Sequence, residues 1–227
     1  MVNRSPELDQ RLHALVAAFL HENANINLSA LRTEDTCWHG NVLDSLALTD
    51  AVDTGLIPAP HMLMDIGTGG GFPLLPLAMV YPDARCTGVD SIGKKVAAVG
   101  RITQSTGLTN VTVIAERSEN LARSPTHCEK YDTVTARAVA PLNILLEYAS
   151  PFARIGGHVI LWKSMHIDEE LTQAKNAASI LGCTLVDRYQ YDLGGDWGTR
   201  QLLIYRKEEK TPKIYPRAVG DAKAKPL

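Results

Sequence analysis

The sequence predicts an α/β fold: a mostly parallel seven-stranded sheet with helices on both faces, an antiparallel C-terminal hairpin and an N-terminal helical cap. Three observations carry this expectation. From His61 to about Arg206, apolar strand candidates alternate with helical segments, the pattern of parallel strands joined by crossovers. The first strand candidate runs into Asp65-Ile66-Gly67-Thr68-Gly69-Gly70-Gly71, where glycines permit a tight turn before a helix starts. The last two strand candidates, 185–191 and 201–206, are joined by the turn-rich Gly194-Gly195-Asp196-Trp197-Gly198 and are expected to pair antiparallel. The chain is expected to divide into a helical cap (1–60), a sheet domain (61–206) and a basic tail (207–227).

The elements follow in order. Ser5 is a candidate N-cap with Pro6 in the first turn, and Leu8, Leu12, Leu15, Val16, Phe19 and Leu20 fall on one helical face. The asparagine-rich stretch 23–27 is expected to break this helix, and helical character resumes over 31–48 through Trp38, Val42, Leu43, Leu46 and Leu48. Strand candidates follow at 63–66, 85–90, 111–114, 131–136 and 158–163, with helices expected after Pro141 and over 167–181.

The Gly-rich turn indicates a nucleotide-type cofactor. A dinucleotide site needs glycine at the sixth position of the motif, where this chain has Phe72, and a P-loop needs Gly-Lys followed by a hydroxyl, where Gly93-Lys94 is followed by Lys95. What remains, Asp65-x-Gly67-x-Gly69, resembles the first motif of S-adenosylmethionine (SAM) dependent methyltransferases. Asp65 would suit the cationic end of that cofactor, directly or through water, with backbone N–H groups facing its carboxylate. Asp90, about 20 residues on and at the end of the second strand, is the ribose candidate. Ser118 and Glu119, after the third strand, are the adenine candidates.

Composition is that of a globular chain: 227 residues, 45% hydrophobic, 21% charged, net charge −2. No stretch approaches the ~18 apolar residues of a membrane span, and Met1-Val2-Asn3-Arg4-Ser5-Pro6 lacks the apolar core of a signal peptide. Cys37, Cys86, Cys128 and Cys183 are far apart, without zinc-like spacing. A cytoplasmic protein with no structural metal is the expectation. From Arg200 onward eight basic residues stand against three acidic ones, leaving the rest of the chain at about −7. A basic tail on an acidic body suits a polyanion, and with a SAM site beside it RNA becomes the leading substrate, with no DNA partner expected and Tyr205 and Tyr215 as stacking candidates.

The chain resembles the RsmG (GidB) small-subunit rRNA guanine-N7 methyltransferases over nearly its full length. The matching segments are Asn27-Leu28-Ser29-Ala30, His39 with Leu43-Asp44-Ser45-Leu46, the motif from Asp65 to Pro73, Asp90-Ser91-Ile92-Gly93-Lys94-Lys95, Arg137-Ala138-Val139-Ala140 and Thr211-Pro212-Lys213-Ile214-Tyr215-Pro216-Arg217. The resemblance implies a Rossmann-like class I SAM-dependent methyltransferase fold, 16S rRNA or the small ribosomal subunit as partner, and methylation of a guanine N7 in the 530 loop. Carried over by position, cofactor contacts would be Gly67, Phe72, Ser118, Glu119 and Arg137. The chain departs from the family pattern at Ala136, where a serine is frequent, at Ser164 after Lys163, and in a less basic final segment.

The chemistry that is missing narrows the target atom. A base-carbon target needs a cysteine nucleophile, and none of the four cysteines follows a proline; an amine target usually comes with an Asn-Pro-Pro-Tyr-like motif, where this chain has Ala136-Arg137-Ala138-Val139-Ala140-Pro141. Guanine N7 carries an exposed lone pair and needs no deprotonation, so proximity and electrostatics suffice. Arg137 is a candidate clamp for the cofactor carboxylate or an RNA phosphate, and its replacement by alanine is expected to lower activity more than stability. His39 is a candidate contact to the target base. Lys94, Lys95, Lys163, Arg200, Lys213 and Arg217 are the candidate RNA contacts. The alternatives are a SAM-dependent enzyme acting on a small molecule or protein and, more distantly, an NAD-linked oxidoreductase or a non-catalytic RNA-binding protein.

Overall fold

The computed structural model describes residues 5–137 and 140–227; Met1-Val2-Asn3-Arg4 and the Ala138-Val139 pair of the arginine motif lie outside them. Helix α1 (Pro6–Ile26) starts where Ser5 accepts a hydrogen bond from Leu8 N–H (3.2 Å). It runs through the asparagines that the sequence marks as a break. Asn23 does not compete with the helix: its side chain reaches forward, Oδ1 accepting from the Leu28 and Ser29 N–H groups and Nδ2 donating to the Ser29 and Leu31 carbonyls. The helix ends at Asn27, at φ 49°. A second helical run comprises α2 (Glu34–Cys37), a π-helical stretch (Trp38–Leu43) and α3 (Asp44–Asp53).

The sheet contains β1 (Met62–Ile66), β2 (Arg85–Asp90), β3 (Val111–Ala115), β4 (Tyr131–Arg137), β5 (Ala153–Lys163), β6 (Cys183–Asp192) and β7 (Thr199–Lys207), in the order β3-β2-β1-β4-β5-β7-β6. The first five are mutually parallel; β7 runs antiparallel to both neighbours. This agrees with the expected parallel sheet and C-terminal hairpin. Because helices cover both faces, central strands are apolar at successive positions rather than alternate ones. In β5 and β7, Ile160, Trp162, Leu202 and Ile204 join the layer of α1, α3, α4 (Leu74–Val80) and α5 (Gly93–Ser105). Val159, Leu161, Leu203 and Tyr205 join the opposite layer, with α7 (Leu142–Ala149) and α8 (Asp168–Ile180). Tyr205 is therefore core, not a stacking surface; burial pushes its phenol up to about 12. Short helix α6 (Ser118–Leu121) follows β3, and none of the helices described is long and apolar enough to cross a membrane.

The last twenty residues fold back on the body. Lys207 is fully buried, its ammonium donating to the Leu181 carbonyl and the Thr211 hydroxyl. Arg217 forms a bidentate pair with Glu147, itself 1% exposed, and donates to the Lys225 carbonyl (2.8 Å). Arg123 donates to the Pro216 carbonyl (2.6 Å), and the four-residue helix α9 (Asp221–Ala224) buries Ala222 near α7.

Candidate functional site

The C-terminal ends of β1, β2, β3 and β4 meet where parallel sheets bind ligands, because strand order reverses there and the following helices leave the crevice open. Gly67 and Gly69 take φ values of 67° and 56°, a region that side chains disfavour. The turn is tied to the second strand twice: the Gly67 and Thr68 N–H groups donate to the Val89 carbonyl (2.8 and 3.0 Å), and Gly69 N–H donates to Asp90 Oδ2 (3.0 Å). The other Asp90 oxygen accepts from Ile92 N–H (2.9 Å), ahead of α5. One carboxylate thus braces the glycine loop and the next turn together.

These strand ends open into a cavity of about 410 Å³, within the range of small-molecule sites. Gly67, Gly69, Phe72, Asp90, Ser118, Glu119 and Arg137, all singled out from sequence, line it. Phe19 of α1 meets Phe72 edge to face, with ring centroids 5.1 Å apart, so the cap supplies an apolar wall. Buried Glu119 accepts from the Ser118 hydroxyl (3.2 Å) and from Gly220 N–H (3.4 Å) of the returning C-terminal segment. The Thr68 hydroxyl is buried, facing the Asp65 carboxyl.

Asp65 departs from the role expected of it. It is 0% exposed and does not line the cavity; it sits behind the loop, accepting from the Thr135 hydroxyl (2.7 Å). Burial raises its carboxyl to about 6, partly offset by the hydroxyls of Thr135 and Thr68 and the charge of Arg137. Its carboxylate therefore stands behind the cavity wall, with the turn that follows Ile66 between it and the opening.

Arg137 also has an occupied guanidinium. Nη1 donates to the Gly40 carbonyl and to Asp44 Oδ2 (both 2.8 Å), and Nη2 donates to Asn41 Oδ1 (2.7 Å). Asp44, 0% exposed, further accepts from the Tyr191 hydroxyl (2.6 Å) and lies 3.5 Å from Arg200, while its carbonyl accepts from the Trp162 indole (2.8 Å). Arg137 therefore ties the end of β4 to the cap, where the π-helical stretch turns a carbonyl and an amide oxygen toward it. The bidentate clamp lands on the protein's own acceptors.

The other predicted residues divide. Lys95 lines the cavity; Lys94 and Lys213 are exposed. Lys163 is committed to Glu170 and the Ala140 carbonyl, Arg217 to Glu147, and Arg200 leans on Asp44 and on the Trp197 ring (5.9 Å). His39 lies outside the cavity; its Nδ1 is 3.0 Å from the Asp35 carbonyl. Residues missed by sequence reasoning include Ser29, Asn41, Tyr148 and Lys223, all on the cavity wall. Ser29 sat inside a recognised motif and Asn41 beside one, whereas nothing local marked Tyr148 or Lys223. No cysteine lines the cavity, and burial raises the thiols of Cys37, Cys86 and Cys183 to about 11, 12 and 11.

Comparison with known proteins agrees with this geometry. A family described as rRNA small subunit methyltransferase G matches residues 8–190. The ribosomal RNA small subunit methyltransferase G of Carboxydothermus hydrogenoformans is 40% identical over 221 residues, covering 97% of this chain and 91% of its own. That of Deinococcus deserti is 40% identical over 225 residues, covering 98% and 90%. Among solved structures, an O-methyltransferase from Bacillus cereus in complex with SAH superposes with a TM-score of 0.63 at 16% identity, covering 86% of this chain and 91% of that one, a likeness of fold.

Proposed function

The chain belongs to the rRNA small subunit methyltransferase G family, and from that premise we propose that it transfers a methyl group from SAM to N7 of a guanine in the 530 loop of 16S rRNA. The fold is that of class I SAM-dependent methyltransferases, and the protein is a SAM-dependent rRNA methyltransferase. The observation that carries the finer reading is the cavity itself. Glycine backbone, a loop-bracing carboxylate and the Ser118–Glu119 corner converge on it, and no reactive cysteine reaches it.

The residues present fit SAM. Asp90 lies at the second strand end with an edge on the cavity, the position of a ribose acceptor. Ser118 and Glu119 form the base end, and Gly67, Thr68 and Gly69 present the glycine turn to the middle. When bound, SAM supplies an electrophilic methyl on a sulfonium. The protein's contribution is alignment. Phe19 and Phe72 close one wall against water, Arg137 fixes the cap over the end of β4, and the Asp90 brace holds the loop. Guanine N7 needs no proton removed, which accords with a cavity whose carboxylates are engaged in structural hydrogen bonds.

We divide the chain by role into a cap (1–60), a SAM-binding domain (61–206) and a C-terminal segment (207–227). For RNA, exposed Lys94 and Lys213, and Lys95 on the cavity wall, are the proposed contacts. Lys163 and Arg217 are paired with Glu170 and Glu147, so the exposed lysines carry the reading. The substrate is 16S rRNA, free or in the small ribosomal subunit, and the protein works in the cytoplasm, as its four unpaired cysteines also favour.

Asp90→Ala should raise the SAM dissociation constant about tenfold or more in calorimetry, because the Gly69 N–H of the cofactor loop and the Ile92 N–H ahead of α5 lose a charged acceptor at once. The function is tested with methyl-labelled SAM and small-subunit RNA or particles from cells lacking the gene. Label entering the RNA is expected; no label in RNA or particles while SAM still binds would instead favour a small-molecule or protein acceptor.

A further inference from the structure

The C-terminal segment was expected to meet RNA, yet its last turn is applied to the cofactor cavity. Lys223 lines that cavity alongside Glu119 and Tyr148, approaching from the α7 face opposite the cap. Three anchors hold it there. Gly220 N–H donates to Glu119 Oε1 (3.4 Å), the carboxylate at the base end of the site. Arg217 is paired with Glu147, one residue before Tyr148, and its Nη1 donates to the Lys225 carbonyl across the α9 turn. Ala222, adjacent to Lys223, is buried, and the Leu227 carbonyl accepts from the Asn143 side chain (3.3 Å). A segment serving only to attract RNA would not need its backbone and its neighbours fastened at these points.

We propose that the folded-back C-terminal segment is part of the cofactor site, with Lys223 a binding residue for the adenosine half of SAM and Arg217 the positioning residue that delivers it. This rests on the SAM reading above. Glu119 is an acceptor and suits the exocyclic amine of adenine; the Lys223 ammonium is a donor and suits a ring nitrogen, so the two together match a base that presents both. With the cap forming one wall and this segment another, the cavity is lined from both faces of the sheet.

The test is calorimetry of the full-length protein with SAM and, separately, with 5′-methylthioadenosine, which lacks the amino-acid portion. Lys223→Ala, at an exposed position, should fold normally and weaken both ligands about fivefold, the equivalent of one net hydrogen bond. In turnover the effect should appear as a rise in KM for SAM. Arg217→Ala should weaken SAM to a similar degree, and the double variant should add little, because both act through one contact. Unchanged SAM affinity in Lys223→Ala, with the slope of log RNA affinity against log salt reduced by about 0.7, would overturn the proposal and make Lys223 a phosphate contact. Weaker SAM with unaffected 5′-methylthioadenosine would overturn its placement at the base end. Absence of SAM binding by the wild-type protein would instead overturn the cofactor reading itself.

Discussion

Arg137→Ala is expected to destabilise the protein by about 3–5 kcal/mol, the range for removing one partner of a buried ion pair, and to abolish measurable methyl transfer. The guanidinium is the closest cation to Asp44, a fully buried carboxylate, and it also satisfies the Gly40 carbonyl and the Asn41 side chain. Its loss leaves Asp44 with the Tyr191 hydroxyl and the more distant Arg200. This revises the expectation from sequence that the substitution would touch activity more than stability. Urea denaturation checks it: the midpoint should fall sharply in Arg137→Ala, and adding Asp44→Asn should recover part of the loss, because no uncompensated charge then remains buried. Equal losses in the single and double variants would mean that the ion pair is not the source. Arg137→Lys should recover less, since an ammonium cannot span three acceptors set for a planar fork.

The second large effect concerns pH. Burial raises the Asp65 carboxyl from 3.8 to about 6 in the folded chain. Between those values the folded state holds a proton that the unfolded state has released, so stability falls as pH rises through the window and the full penalty applies above about pH 6. At 1.36 kcal/mol per unit, the shift is about 3 kcal/mol. Asp65→Asn, which cannot ionise, should remove this component. Stability measured from pH 4 to pH 8 should decline less steeply in the variant, with the difference between the two proteins growing by roughly 2 kcal/mol across that range and levelling above pH 7. Parallel profiles would show that Asp65 is not the group responsible. A carboxylate kept at this depth directly under the cofactor loop points to an electrostatic role felt through the backbone. Weaker SAM binding in Asp65→Asn, despite greater stability at pH 8, is the corresponding expectation.

What the sequence made legible was local or periodic. Ser5-Pro6 announced the first helix, the alternation of apolar segments announced the parallel sheet, and the glycines after Ile66 placed the turn at its rim. What it concealed depends on contacts between distant segments. Asn23 belongs to a run that reads as a helix breaker, and only the path of residues 28–31 shows that its side chain staples the following loop. Arg137 is 93 residues from Asp44 and Gly220 is 101 from Glu119, so neither pairing leaves a periodic trace. Asp65 illustrates a different limit: an acid ending an apolar run reveals its type but not its depth. The basic tail shows the same for charge, since Lys207 and Arg217 are counted as surplus cations while both are bound within the fold. Truncating the chain at Arg206 would thus expose Glu147 and strip the cavity wall, and lost activity would not by itself report on RNA binding.

The most direct test of the central claim is to locate the transferred methyl. Small-subunit particles from cells lacking the gene would be treated with the protein and SAM, and their 16S rRNA subjected to strand scission selective for N7-methylguanine. A single new break within the 530 loop is the result predicted here. Label in the RNA without such a break, or a break elsewhere, would contradict it.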